Sequence, residues 1–458
     1  MKTFDAIIIG AGQAGPSLAG RLTAAGQTVA FVERKLFGGT CVNTGCTPTK
    51  AMVASAYAAH IARRSADYGV SIDTAVEVDM KAVNARRDAI VMKSRNGVES
   101  SLRDNPKVTV FTGTASLASA TTVRVGDEVL EAKQIFLNVG ARASVPNFPG
   151  IHTVPYLTNS TLLQLETLPK HLVVVGGSYI GIEFGQMYRR FGSEVTIIEK
   201  GPRLVGREDE DVSACVQSIL EAEGIAIRTS AECIHLKPGG DGVVVGTNCT
   251  TGEPDIVGSH VLLAVGRVPN TADLGLEQAG VKTDARGYIE VDDQLRTSVE
   301  GIYALGDCNG RGAFTHTAYN DYEIVAANLL DGDTRRVSDR ILCYAMYLDP
   351  PLARIGMTEA EVRATGKPAL MATRPMTRVN RAVEKGESLG FMKVMVDAES
   401  KRILGASLLG VGCDEAIHCM LDVMYAKASY TTISRAVHIH PTVAELIPTL
   451  LQSLKPME

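Results

Sequence analysis

Short apolar runs that stop at glycine set the pattern of this chain. In AIIIGAGQAGPSLAGRLTAAGQTVAFVE, residues 6–33, the opening run predicts a buried strand. The glycines that follow predict a tight turn, the Leu- and Ala-rich stretch a helix, and TVAFVE a second strand. The same order recurs in HLVVVGGSYIGIEFGQMYRRFGSEVTIIEK, residues 171–200. From about residue 336 the pattern changes to α+β. GESLGFMKVMVDAESKRILGASLLG, residues 386–410, reads as a β-hairpin around DAESKR, and DEAIHCMLDVMYAKA, residues 414–428, as a helix.

The glycines carry chemistry. Gly10, Gly12 and Gly15 form GxGxxG: the first permits the turn, the second lets backbone approach a pyrophosphate, and the third lets helix pack on strand. Glu33 ends the second strand, 33 − 10 = 23 residues on, where a carboxylate accepts from a ribose hydroxyl. Gly176, Gly177 and Gly181 repeat the motif with Ser178 in the middle-glycine place, and Glu199 again follows its first glycine by 199 − 176 = 23 residues. Two Rossmann-like units imply two dinucleotides, and a hydride donor passing electrons to a flavin is the simplest use of both.

Composition narrows the class. The chain has 458 residues, 45% hydrophobic and 21% charged, with a net charge of −5. These values suit a globular protein of two to four domains and give no sign of nucleic-acid binding. No apolar run reaches the length of a membrane span. Met1 leads almost directly into FDAIIIG, so no signal peptide is expected. Cys215, Cys233, Cys249, Cys308, Cys343, Cys413 and Cys419 are scattered, which fits reduced thiols and a cytoplasmic setting. Cys413 and Cys419 do not share a helix face and read as small buried hydrophobes.

Two further cysteines stand apart. GGTCVNTGCTPTK, residues 38–50, places Cys41 and Cys46 in a glycine-bounded bend, and the AMVASAYAAHIARR that follows predicts a helix starting at the pair. A helix N-terminus favours thiolate over thiol. A structural disulfide across so short a loop would add only about 2 kcal/mol on the chain-entropy model, which a chain of this length does not need. A zinc site would need a second ligand pair, and none is obvious. A redox-active dithiol remains.

This stretch resembles the motif GGTCxNxGCxPxK of the flavin-dependent pyridine nucleotide–disulfide oxidoreductases, the group of glutathione reductase, dihydrolipoamide dehydrogenase and mercuric reductase. Thr44 and Thr47 depart from the Val or Ile common there. Matching segments extend along the chain: GIYALGDC (301–308), LLAVGRVPNT (262–271), an imperfect IFLNVGARASVP (135–146) and HIHPTVAELIPTLLQSL (438–454). The resemblance implies an FAD domain at 1–150 and 268–335, an NAD(P) domain at 151–267, and a C-terminal α+β dimerisation domain at 336–458. It implies that Gly10, Gly12, Gly15, Glu33, Thr40, Lys50, Gly140 and Asp307 bind FAD. Gly176, Gly177, Tyr179, Gly181, Glu199 and Gly266 would bind NAD(P)H, and no resident metal is implied.

The resemblance also implies roles. Cys41 attacks substrate, Cys46 exchanges electrons with the flavin, and Lys50, paired with Glu183, places a cation beside it. Tyr179 covers the flavin until nicotinamide displaces it. His440, oriented by Glu445, is the acid–base, reaching the partner's cysteines in a homodimer with shared active sites. Glu199 favours NADH, while Lys200, Arg203 and Arg207 keep NADPH open. Electrons would pass from NAD(P)H to a small-molecule or protein disulfide, or in reverse as in dihydrolipoamide dehydrogenase. Reduction of a metal ion (Hg or Cu) or a quinone is the alternative; LLQSLKPME lacks a cysteine pair and His440 is present, which favours the disulfide. A non-catalytic flavoprotein signalling module is disfavoured because both cysteines, Lys50 and His440 are retained.

Overall fold

The computed structural model describes residues 1–240, 242–248 and 254–457. Both strand–turn–helix–strand units form, each in its own parallel sheet. Ala6–Ile9 pairs with Val29–Glu33 on one side and Gln134–Leu137 on the other; Val108–Thr112 and Ile302–Ala304 complete five strands. All four residues of Ala6–Ile9 are buried. Both faces of the sheet are covered, which is why the run is uniformly apolar rather than alternating. The second sheet orders Ala226–Arg228, Glu194–Ile198, His171–Val175 and His260–Leu263. The helices Gly15–Ala24 and Tyr179–Phe191 follow the two glycine turns. The α/β class is borne out.

A six-stranded antiparallel sheet makes up the C-terminal part. Phe391–Asp397 and Ile403–Leu409 form the predicted hairpin. The predicted helix over 414–428 runs instead as Cys413–Ala416 and His418–Tyr425. At the join, the amide of Met420 bonds to the Ile417 carbonyl at 3.0 Å, a tighter 3₁₀-type turn. Cys413 is buried, Cys419 half-buried, and both are free thiols. Cys249 lies outside the described residues, as does the side chain of Cys233. No helix among the described residues is long and apolar enough to cross a membrane.

Buried charge ties this sheet to the unit built on the second parallel sheet. Arg354, 1% exposed, meets Glu208 at 3.1 Å, and the Tyr344 hydroxyl donates to the same carboxylate. Lys393 lies among Asp209 at 3.0 Å, Asp211 at 2.7 Å and Glu359 at 3.1 Å. The acids at 208–211 lead into the helix Glu210–Ala222, whose N-terminus also favours negative charge. Arg190 makes a third junction, to Glu223 at 2.7 Å and Asp349 at 2.6 Å.

Removing one member of a buried pair strands the other. Glu208→Ala, which leaves the Arg354 guanidinium uncompensated, is predicted to cost about 3–5 kcal/mol. Lys2→Ala, which breaks an exposed pair, should cost about 0–1 kcal/mol. Urea unfolding of both variants against wild type checks this; equal effects would show that the buried contact does not fasten the sheet.

Candidate functional site

Two helices meet at the cysteine pair, where the sequence predicted one helix start. Cys41 lies in the short helix Gly39–Thr44, and Cys46 opens the helix Cys46–Arg63. Gly45 joins them at φ −133°, ψ −119°. A Cβ there would stand 2.9 Å from the Thr40 carbonyl oxygen, so the bend closes only on glycine. Cys41 is half-buried, Cys46 exposed, and both are free.

The two thiols share a hydrogen bond, and this splits their acidities. Cys46 is lowered to about 6, first because the Cys41 thiol donates to it, with help from Thr315 and the Lys50 charge and against the cost of burial. Cys41 is raised because its proton is held in that bond and because it is buried. The reduced pair is therefore one thiolate and one thiol. Thr315 Oγ1, at the start of the helix Thr315–Leu330, lies 3.3 Å from Cys46 Sγ.

Lys50 is one helical turn beyond Cys46, and its ammonium lies 2.8 Å from Glu183 Oε2. Glu183 is 5% exposed. Its second oxygen accepts the Tyr347 N–H at 2.9 Å, and the Tyr347 ring centroid lies 4.7 Å from the same ammonium.

A cavity of about 820 Å³ runs from the first glycine turn to this pair. Gly10, Gly12, Glu33, Thr40, Gly140 and Asp307 line it together with Cys41, Cys46, Lys50, Tyr179 and Glu183. The residues fit an extended flavin dinucleotide. At the turn, Gly15 packs beneath rather than lining: a Cβ there would fall 2.4 Å from the Gly10 carbonyl oxygen. Glu33 takes the amide of Ala11 at 2.8 Å on one oxygen and that of Lys35 at 2.8 Å on the other. Asp307 lies 3.4 Å from Arg267 in the same cavity wall. Burial raises its carboxyl above the usual range, against the pull of Arg267.

The second turn repeats this construction. Gly181 plays the part of Gly15, its Cβ position 1.9 Å from the Gly176 oxygen. Glu199 accepts from Gly177 N at 2.7 Å and Gly201 N at 2.6 Å. Gly266 has φ +121° at the end of the neighbouring His260–Leu263 segment. Tyr179 is the first residue of the following helix and packs on Phe314 at 5.7 Å. Its position joins the second turn to the cavity of the first.

His440 lies elsewhere. Its Nδ1 is 2.9 Å from Glu445 Oε2, with the imidazole 69% exposed. It is not among the residues lining the cysteine cavity. Its neighbours Val437 and Ile439 are 101% and 80% exposed. One chain thus prepares an oriented imidazole but does not bring it to its own thiols.

Three contributors went unread in the sequence. Asn138 accepts from Gly15 N at 3.1 Å and donates to the Leu305 carbonyl at 2.9 Å, bridging the glycine turn and the Asp307 segment. A polar residue ending an apolar strand was its signal. Thr315 had a weaker one, a hydroxyl at a helix start after a glycine-rich turn. Tyr347 had none, since only the fold brings it to Lys50.

The family model for pyridine nucleotide-disulphide oxidoreductases matches residues 4–321, and that for their dimerisation domain matches 343–451. A probable pyridine nucleotide-disulfide oxidoreductase, RclA of Escherichia coli, is 35% identical over 99% of this chain and 100% of its own. Its structure as a Cu(II) complex, described as an HOCl-induced flavoprotein disulfide reductase, superposes with a TM-score of 0.90 at 34% identity, covering 99% of each chain. A dihydrolipoyl dehydrogenase of Thermus scotoductus is 33% identical over 97% of this chain and 96% of its own. A mercuric reductase of Streptomyces lividans is 31% identical over 98% and 96%.

The split thiols give a pH signature. In the reduced protein one thiolate should form as pH rises through about 6, and be lost by protonation below it. Thr315→Val removes a donor to the anion and should move that step up by about one unit. Ultraviolet thiolate absorbance against pH measures both; a step that survives in Cys46→Ser would show that the anion belongs to another residue.

Proposed function

Because the chain belongs to the pyridine nucleotide-disulphide oxidoreductase family, we propose that Cys41 and Cys46 are the redox-active pair of this FAD-dependent NAD(P)H disulfide oxidoreductase. The observation that carries the assignment is the hydrogen-bonded pair of free thiols at the end of the dinucleotide cavity, beside Lys50 and Glu183. FAD bound in the cavity supplies two-electron exchange between nicotinamide and the cysteines. In the reduced protein His440 takes the Cys41 proton, and Cys41 attacks one sulfur of the substrate disulfide. The leaving thiolate takes that proton back. Cys46 then attacks the Cys41 sulfur and displaces the second thiolate, closing the Cys41–Cys46 bond and releasing one thiol and one thiolate, which takes its proton from water. Lys50, held by Glu183, places positive charge beside Cys46. The FAD domain is read as 1–150 and 268–335, the NAD(P) domain as 151–267, and the dimerisation domain as 336–458. A cytoplasmic location is part of the same reading.

Copper(II) is a second candidate acceptor. Two free thiols at one cavity suit a soft or borderline metal, and the Escherichia coli relative was solved as a Cu(II) complex. Reoxidation of the prereduced protein by lipoamide, low-molecular-weight disulfides, quinones and Cu(II) separates the readings.

NADH is the favoured donor. Glu199 presents a carboxylate at the strand end. Of the nearby cations, Arg203 is tied to the carbonyls of Gly206 and Glu208, at 3.5 and 3.3 Å. Arg207 lines a separate cavity with Arg267 and Arg340. Flavin reduction at limiting nucleotide should be faster with NADH than with NADPH. Glu199→Gln keeps the side chain's length but removes the charge facing a 2′-phosphate, and should narrow the ratio about 5- to 10-fold. A wild-type preference for NADPH would sink the assignment.

The exposed His440, Val437 and Ile439 support a homodimer in which each site takes its thiols from one subunit and its imidazole from the other. His440→Ala should slow disulfide turnover about 10²–10⁴-fold and largely spare nicotinamide oxidation. Co-expressed Cys41→Ser and His440→Ala chains should regain activity, because one site of each heterodimer is intact. Verified heterodimers as inactive as their parents would refute the shared site.

A further inference from the structure

We propose that Tyr347 is a positioning residue for the redox pair: its ring holds the Lys50 ammonium against Glu183 and so fixes the cation that faces Cys46. This rests on the reading of Cys46 as the thiolate at the flavin. Three elements far apart in sequence meet on one charge. Lys50 comes from the helix Cys46–Arg63, Glu183 from Tyr179–Phe191, and Tyr347 directly follows the strand Cys343–Met346. The ammonium lies 2.8 Å from Glu183 Oε2 and 4.7 Å from the Tyr347 ring centroid, well inside cation–π range. Lys50 is 34% exposed on its side chain, so water competes for it wherever the ring does not cover it. A lysine has four flexible carbons and a single carboxylate contact leaves it several rotamers. The ring removes that freedom.

The ring is itself held. The Tyr347 amide donates to Glu183 Oε1 at 2.9 Å. One helical turn on, Gln186 donates to the Asp349 carbonyl at 2.7 Å and accepts from the Asp349 amide at 2.7 Å. Arg190 then bonds the Asp349 carboxylate at 2.6 Å. Residues 183, 186 and 190 share one helix face, and together they fix the backbone of 347–349 in register. Tyr347 therefore pins the carboxylate through its amide and the ammonium through its ring.

The groups that act on the Cys46 charge are Cys41, Thr315, Lys50 and Glu183, and those that act on the Tyr347 hydroxyl include Asp414, Glu415, Glu183 and Cys46. Lys50 is the cation among them that favours the Cys46 thiolate. A looser Lys50 stands farther away on average, so the thiolate becomes harder to form.

The test uses the holoprotein, prereduced by two electrons. A thiolate beside oxidised flavin gives a long-wavelength absorbance, and its pH midpoint reads Cys46. Tyr347→Leu should raise the midpoint by about 0.5–1 pH unit. Tyr347→Phe keeps the ring and should hold the wild-type midpoint. Where a variant loses flavin, the pH dependence of thiol alkylation, followed by mass spectrometry, reads the same step. An unshifted midpoint in folded Tyr347→Leu, or an equal shift in Tyr347→Phe, overturns the role of the ring. A wild-type protein without the absorbance would instead overturn the placing of Cys46 at the flavin, and the proposal with it.

Discussion

A carboxylate taken out of water must be fully partnered, and Glu183 is the one on which the site depends. At 5% exposure it cannot stand alone as a charge. One oxygen is committed to Lys50 and the other to the Tyr347 amide. Each commitment comes from a different part of the chain. Glu183 follows the second glycine turn, Lys50 follows the cysteines, and Tyr347 directly follows a strand of the C-terminal sheet. The geometry at the thiols is therefore a property of how the parts dock. The buried contacts of Arg190, Arg354 and Lys393 maintain that docking.

Much of this was legible because it is local. A strand that must be apolar on both faces, a turn that must admit a phosphate and a helix that must pack close leave a short, fixed-spacing signature. Gly15 and Gly181 show why: each abuts a carbonyl oxygen of its own turn, so no other residue fits. The cysteine spacing was readable for the same reason, although the two helices meeting at Gly45 were read as one helix start. Tyr347 and Thr315 were not readable. They reach Lys50 and Cys46 through tertiary packing, at separations of hundreds of residues, where no periodicity survives.

Glu33 and Glu199 have a structural duty that the motif alone did not disclose. The sequence suggests a carboxylate waiting for a ribose. The structure has each one already spanning its glycine turn and the bend after its own strand. Such a group is held in place before any ligand arrives, so less entropy is lost on binding. Asn138 does similar work across a longer gap. Its amide joins the first turn to the Leu305 carbonyl.

The first sheet contains a strand from far along the chain. Ile302–Ala304 lies beside Gln134–Leu137, after the whole second sheet in sequence. During synthesis the ribosome delivers four of the five strands, then a complete second unit, before the last strand emerges. Until then Gln134–Leu137 is an open edge with unpaired backbone groups, the kind of surface that pairs with the wrong neighbour. Asn138, at the end of that edge, waits equally long for Leu305. The second unit can close while the first still lacks its last strand.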